Sequence, residues 1–221
     1  MNQKPSVKKH SDFKIMGKSY LRQDARLKVT GQAKYAGDYH MPGMLYSRIL
    51  RPPSHGATLV SVDTSEAEKL EGIKVIHDGD LFAVLHEMPD KAKEAIDKVK
   101  AEYTFNEKDV DDKTVFDYLL KSAPEGDVRL EEGDLATGKE ASEYMIESEY
   151  YNSYVAHAPI EPHTALAYMD GDKLIVVGST QNPFSAQESI AQELGIALEK
   201  VRVITPFVGG GFGGKNANQQ M

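Results

Sequence analysis

Three short stretches of this chain hold the residue types that do chemistry. The first is Tyr154-Val-Ala-His-Ala-Pro-Ile-Glu-Pro-His163, with two imidazoles and one carboxylate. Pro159 and Pro162 exclude a helix there. In an extended chain His157, Glu161 and His163 fall on one face at period two. That face can be half of a metal site, or a rigid segment whose histidines are hydrogen-bonded. The second stretch is Ser179-Thr-Gln-Asn-Pro183. Gln181 ends a strand-like run and precedes a helix start, where unpaired N–H groups and the helix dipole favour an oxyanion. Its amide adds one aimed donor, or else bonds only to local backbone. The third is Pro206-Phe-Val-Gly-Gly-Gly-Phe-Gly-Gly-Lys215, with five glycines in six positions. Glycine lets backbone N–H groups approach a ligand closely.

The glycine stretch fits two phosphate-binding patterns. Gly209, Gly211 and Gly214 satisfy G-x-G-x-x-G. Gly209 with Gly214-Lys215 satisfies most of G-x-x-x-x-G-K-S/T, but Asn216 stands where a hydroxyl would bind magnesium. The acidic residue expected about 20 positions after the first pattern is absent, since the sequence runs only to Met221. A glycine-rich turn packed under another element remains the other reading. Titration with ATP or NAD, with protection of the loop in hydrogen exchange, would support the nucleotide reading.

The elements that position these stretches follow from periodicity. Leu45–Leu50 alternates as a strand that Pro52-Pro53 ends. Thr64–Leu70 reads as a short helix capped by Asp63 or Thr64, with Gly72 beyond it. Ile73–His77 and Leu81–His86 are strands about the Asp78-Gly79-Asp80 turn. Asp90 can cap the next helix, whose apolar stripe is Ala92, Ala95, Ile96 and Val99. Residues 101–105 close this unit. Tyr144–Ser153 alternates as a strand; Ala165–Met169 and Leu174–Val177 are strands around Asp170-Gly171-Asp172. Asn182 caps a helix with Pro183 at its first position and Gly195 at its end. Val201–Thr205 is the strand that feeds the glycine loop. The expected organisation is an arm over residues 1–16, an α+β unit over 17–105, an acidic linker over 106–140, and a further unit over 141–221.

Composition narrows the class. The chain has 221 residues and a formal net charge of −8, which argues against broad nucleic-acid or anionic-membrane binding. Without cysteine, this stretch can hold no disulfide, thiolate zinc site or cysteine-ligated iron–sulfur cluster. No run approaches 18 apolar residues and no signal peptide is recognisable, so a cytoplasmic location is the expectation, or export alongside a partner. Arg22 and Arg26 read as a solvated face or a partner contact.

Taken in order, His157-Ala-Pro-Ile-Glu-Pro-His163, Ser179-Thr-Gln-Asn-Pro183 and Val208-Gly-Gly-Gly-Phe-Gly-Gly-Lys215 closely resemble the molybdenum-binding subunit of the xanthine dehydrogenase and aldehyde oxidase family. Arg22–Asp38 is similar to the family's entry segment, and Met44–Gly56 to the first strand of its α/β hammerhead domain. The short passage from Glu71 into Leu81 resembles the isoquinoline 1-oxidoreductase and nicotinate dehydrogenase type.

The resemblance implies an α+β fold, a hammerhead domain followed by the first part of a molybdopterin-binding domain. It implies that Gln181 hydrogen-bonds an oxo ligand of molybdenum, that Phe212 stands on the cofactor and substrate side, and that the backbone of Gly210, Gly211 and Gly213 approaches the molybdopterin. No residue matches the family's catalytic glutamate, which comes late in its sequence, and no metal ligand is assigned. Asn216 replaces the glutamate with which xanthine dehydrogenases bind a purine, which argues against xanthine as substrate. The implied activity is oxidation of an N-heteroaromatic or aldehyde substrate with water-derived oxygen. The implied partners are a small cysteine-rich 2Fe-2S subunit and the remainder of the large subunit. A scaffold subunit of the same fold is the non-catalytic alternative. Read as an N-terminal fragment, the chain is expected to fold, to self-associate through uncovered apolar surface, and to retain neither cofactor nor turnover. Stoichiometric molybdenum in the purified 221-residue chain would contradict that expectation.

Overall fold

The computed structural model describes residues 6–106 and 110–216. The expected arm over 1–16 and acidic linker over 106–140 therefore lie partly outside the described residues. Two compact units appear: Met41–Val155, and the flanking stretches up to His40 and from Ala156 onward. These bounds differ from the expected ones, because the 17–40 stretch packs with the C-terminal stretches rather than with the hammerhead-like unit. There, α1 (Ala25–Val29) follows Asp24, whose carboxylate pairs with Arg22 and Lys28. Beyond it, Ala33 and Ala36 are buried and Tyr35 forms a parallel bridge with Phe207.

Within Met41–Val155, β1 (Tyr46–Ile49), β4 (Leu81–His86) and β3 (Lys74–Asp78) form one antiparallel sheet in the order β1-β4-β3. Helix α2 (Ser65–Glu68) precedes β3, and Asp63 Oδ1 accepts from Ser65 N at 2.9 Å at its start. Gly79 takes φ +56° in the tight β3–β4 turn, a region that favours glycine. Helix α3 (Pro89–Ile96) packs on β1 and β4. Ala67, Val84 and Ala95 form the buried centre, with Leu70, Ile73, Val75, Ile96 and Val99 around it. Alanines at the contact let helix and sheet approach closely.

Several details differ from the sequence reading. Asp90 is not the cap of α3: Pro89 already occupies the first helical turn and Met88 is the cap residue, without a side-chain bond. β2 (Thr58–Asp63), which the residue pattern leaves unread, pairs antiparallel with β5 (Lys100–Thr104). A bulge between Leu59 and Ser61 breaks its alternation. The acidic linker contains two helices, α4 (Val115–Ser122) and α5 (Leu135–Ala141). Its aspartates act as start signals: Asp111 Oδ1 accepts from the N–H of Thr114 at 2.8 Å, and Asp134 Oδ1 from that of Thr137 at 2.6 Å. Tyr144–Ser153 is not a strand among the described residues. Its alternation finds no adjacent edge, and Tyr144, Ile146 and Tyr150 are exposed.

In the other unit, β6 (Ala165–Asp170) pairs antiparallel with β7 (Lys173–Gly178), and β7 pairs parallel with β8 (Val201–Ile204). Ile175, Val176 and Val177 are buried on both faces of this central strand. The β7–β8 crossover is α6 (Pro183–Leu194). Asn182 Oδ1 accepts from Ser185 N at 3.3 Å, Pro183 takes the first position, and Gly195 ends the helix at φ 62°. Gln187 Nε2 donates to Leu198 O and Val201 O, fixing α6 to the start of β8. Thus β7 delivers Gln181 and β8 delivers the glycine loop on neighbouring strands. Among the described residues, no helix is long and apolar enough to cross a membrane.

The fully buried Ala95 leaves no room for a larger side chain. Ala95→Leu should lower the stability of the Met41–Val155 unit by about 1–3 kcal/mol, as overpacked cores do. Urea denaturation followed by circular dichroism measures it.

Candidate functional site

All three chemistry-bearing stretches meet at the mouth of β7 and β8. Glu161 N donates to Gly209 O at 3.3 Å, and Glu161 Oε2 accepts from Gly209 N at 2.7 Å. The same oxygen pairs with Lys215 Nζ at 2.7 Å. Lys215 is 1% exposed, and its side chain is the largest of the fully buried ones. A buried ammonium needs such a partner, because desolvating a charge costs several kcal/mol. Glu161 Oε1 is buried without a partner, so the carboxylate is committed through one oxygen.

Gln181 is bound into the same loop from the other side. Its backbone N–H donates to Lys215 O at 3.0 Å. Its side-chain Oε1 accepts from Gly213 N at 3.0 Å and Lys215 N at 3.3 Å. Two backbone donors fix which end of the amide is oxygen, since an amide nitrogen could not accept them. The end left over is the NH2 group, a pure donor on an exposed residue. Thr180 Oγ1 also donates to Lys215 O, at 3.3 Å. Buried Ser179 accepts from Thr164 N at 3.2 Å, which holds the histidine-bearing segment to the end of β7.

The glycines are explained by these neighbours. A Cβ on Gly209 would lie 2.5 Å from Glu161 Cβ, and one on Gly211 would lie 2.4 Å from Gln181 Oε1. One on Gly214 would lie 3.0 Å from His157 Cγ. The three positions that fit G-x-G-x-x-G are therefore filled by the chain's own side chains rather than left open for a phosphate. Gly210 and Gly213 have φ +100° and +96°, which only glycine adopts without strain. Phe212 takes φ 53° between them and is 73% exposed. Holding a bulky residue in the left-handed region costs about 1–3 kcal/mol, and such strain concentrates at functional sites.

Sequence reasoning placed Gln181, Gly210, Gly211, Phe212 and Gly213 together, and the structure brings them within one loop contact. The Glu161–Lys215 pair is not among the residues that the sequence points to, because nothing local marks either charge as buried. The metal half-site on His157, Glu161 and His163 does not form: Glu161 faces Lys215, and among the described residues no group of three potential ligands converges. Ala158 at φ 40° breaks the extended run that would have aligned them. A shallow groove lined by Gln32, Lys34, Tyr39, Thr205, Pro206 and Phe207 takes in the first two residues of the glycine stretch but not Glu161, Gln181 or the glycines themselves. Gln181 and Phe212 are exposed at the outer side of the motif cluster.

Residues 120–221 match the molybdopterin cofactor-binding domain. The nicotinate dehydrogenase large molybdopterin subunit of Eubacterium barkeri is 31% identical over 242 residues, covering 92% of this chain and 56% of that protein. The aldehyde oxidoreductase molybdenum-binding subunit PaoC of Escherichia coli (strain K12) is 27% identical, covering 92% of this chain and 32% of that one. Thus the chain spans between about a third and a little over half of these relatives. Among solved structures, the aldehyde oxidoreductase of Desulfovibrio gigas superposes with a TM-score of 0.71 at 21% identity over 90% of this chain and 27% of that one. Quinoline 2-oxidoreductase of Pseudomonas putida 86 gives 0.68 at 22% identity, over 90% and 31%. These structures share the α+β fold seen here.

Two outcomes follow. Lys215→Met strands the Glu161 carboxylate in its buried place and should lower stability by about 3–5 kcal/mol, the usual effect of breaking a buried pair; urea denaturation reads it. His163 is held below its ordinary value of 6.5, first by burial and second by the Lys215 ammonium. The fold thus refuses a proton that the unfolded chain accepts. His163's contribution to stability is complete above pH 6.5 and is lost as pH falls through the depressed value. An NMR titration should find the His163 midpoint below 6.5, and Lys215→Met should raise it.

Proposed function

We propose that the chain belongs to the xanthine dehydrogenase and aldehyde oxidase family of molybdenum-binding subunits, which its relatives and its matched cofactor-binding domain support, and that it forms one wall of the molybdenum–pterin site of a hydroxylase. The observation that carries this reading is the Gln181 amide. With Oε1 taken by Gly213 and Lys215, its Nε2 end is a fixed donor beside an exposed, strained Phe212. That donor set fits an acceptor-rich, anionic group. Gln181 Nε2 would donate to the cofactor, the Gly210–Gly213 backbone would lie along it, and Phe212 would shape the substrate side.

When bound, the molybdenum–pterin group supplies the two-electron oxidation of an electron-poor carbon, with oxygen derived from water. The chain's own residues orient and exclude. Gln181 aims its donor, the Glu161–Lys215 pair holds the loop, and Phe212 limits the approach of substrate to one face. The proposed base belongs to a part of the family's sequence that these 221 residues do not match. Electrons would leave to cysteine-ligated 2Fe-2S clusters outside these 221 residues, which hold no cysteine, and a separate small subunit is the carrier we propose.

Asn216 argues against a purine substrate. A neutral amide cannot reproduce the carboxylate that pairs with a purine. An N-heteroaromatic ring or an aldehyde is the substrate we propose, and the nicotinate enzyme among the relatives supports the ring.

In the complete enzyme, purified protein should contain molybdenum and oxidise electron-poor N-heteroaromatics or aldehydes, with little turnover of xanthine. Gln181→Ala should lower kcat/KM about 100-fold, the effect of losing one aimed donor. Xanthine as the preferred substrate, or full activity in Gln181→Ala, would overturn the reading.

A further inference from the structure

Lys215 is joined to the rest of the site through four bonds that lead to only three residues. Its Nζ meets Glu161 Oε2. Its N–H donates to Gln181 Oε1, and its carbonyl accepts from Gln181 N and Thr180 Oγ1. Any shift of Lys215 is therefore a shift of the Gln181 amide. Glu161 in turn contacts the loop at its two ends, Gly209 N and Lys215 Nζ, and so spans the whole glycine turn.

We propose that Glu161 is a positioning residue for the Gln181 amide, acting through Lys215. Packing alone does not require this pair. Apolar side chains in place of both Glu161 and Lys215 would fill the space without desolvating a charge, and such paired replacements are often neutral or stabilising. The ion pair supplies direction instead. An apolar contact tolerates sliding, whereas a 2.7 Å charge-assisted bond fixes the depth of Lys215 and the height of its backbone. Five glycines in six positions make that backbone the most deformable part of the unit. The consequence for catalysis rests on the reading of Gln181 as the cofactor's donor; the positioning itself does not.

Hydrogen exchange of the cofactor-free full chain separates positioning from general stability. The amides of Gly213 and Lys215 report the two bonds to Gln181 Oε1, and those of Ile175, Val176 and Val177 report the β7 core. Glu161→Gln should speed exchange at Gly213 and Lys215 by about tenfold or more while β7 stays protected. Lys215→Arg, which keeps the charge, should preserve both amides better than Lys215→Met. Equal change in loop and β7, or none in the loop, overturns the proposal. If Glu161→Gln loses the β7 protection, the arginine variant decides: retained protection at the two amides supports the role, and loss overturns it. In the loaded enzyme Glu161→Gln should share the kcat/KM defect of Gln181→Ala. Loosened amides together with full activity in Gln181→Ala would refute the cofactor reading and leave the positioning intact.

Discussion

The Glu161–Lys215 ion pair is the interaction on which this site depends. It closes the glycine loop across its base, from Gly209 at one end to Lys215 at the other. A loop so rich in glycine has no intrinsic preference for one shape. Ordering it costs conformational entropy at every residue. The buried pair, together with the four backbone bonds that Gln181 and Thr180 make around Lys215, offsets that cost and leaves one geometry. The strained Phe212 backbone can persist only because both flanks are held in this way.

Close approach explains why the loop is glycine rather than merely small. Glu161, Gln181 and His157 each lie where a Cβ would stand. The same spacing that imitates a phosphate cradle in one dimension becomes, in three, a set of sockets for the chain's own side chains. The G-x-G-x-x-G match was thus real as a pattern and misleading as a mechanism. What faces outward is a donor amide and an aromatic ring, suited to a planar, acceptor-bearing ligand.

Much of this was legible in the sequence. The β7–α6–β8 unit carries strong signals: an apolar run from Leu174 to Val177, Asn182-Pro183 at the helix start and Gly195 at its end. The order of the three motifs made the family readable, and Gln181 with the Gly210–Gly213 loop does come together. What was not legible depends on contacts distant in sequence. Glu161 and Lys215 look like ordinary surface charges until the fold buries them. The β2 strand hides behind a bulge, and the alternation of Tyr144–Ser153 says nothing about whether an edge exists to pair with it. The contact grouping of residues up to His40 with those from Ala156 onward was hidden for the same reason: Tyr35 meets Phe207 across most of the chain.

The central claim is that the loop fixes a glutamine donor for a molybdenum–pterin group. A crystal structure of the molybdenum-loaded enzyme tests it most directly. The account predicts Gln181 Nε2 within about 2.7–3.2 Å of an acceptor on that group, with Oε1 still on Gly213 and Lys215. A flipped amide, or a cofactor seated beyond hydrogen-bond reach of Gln181, would contradict it.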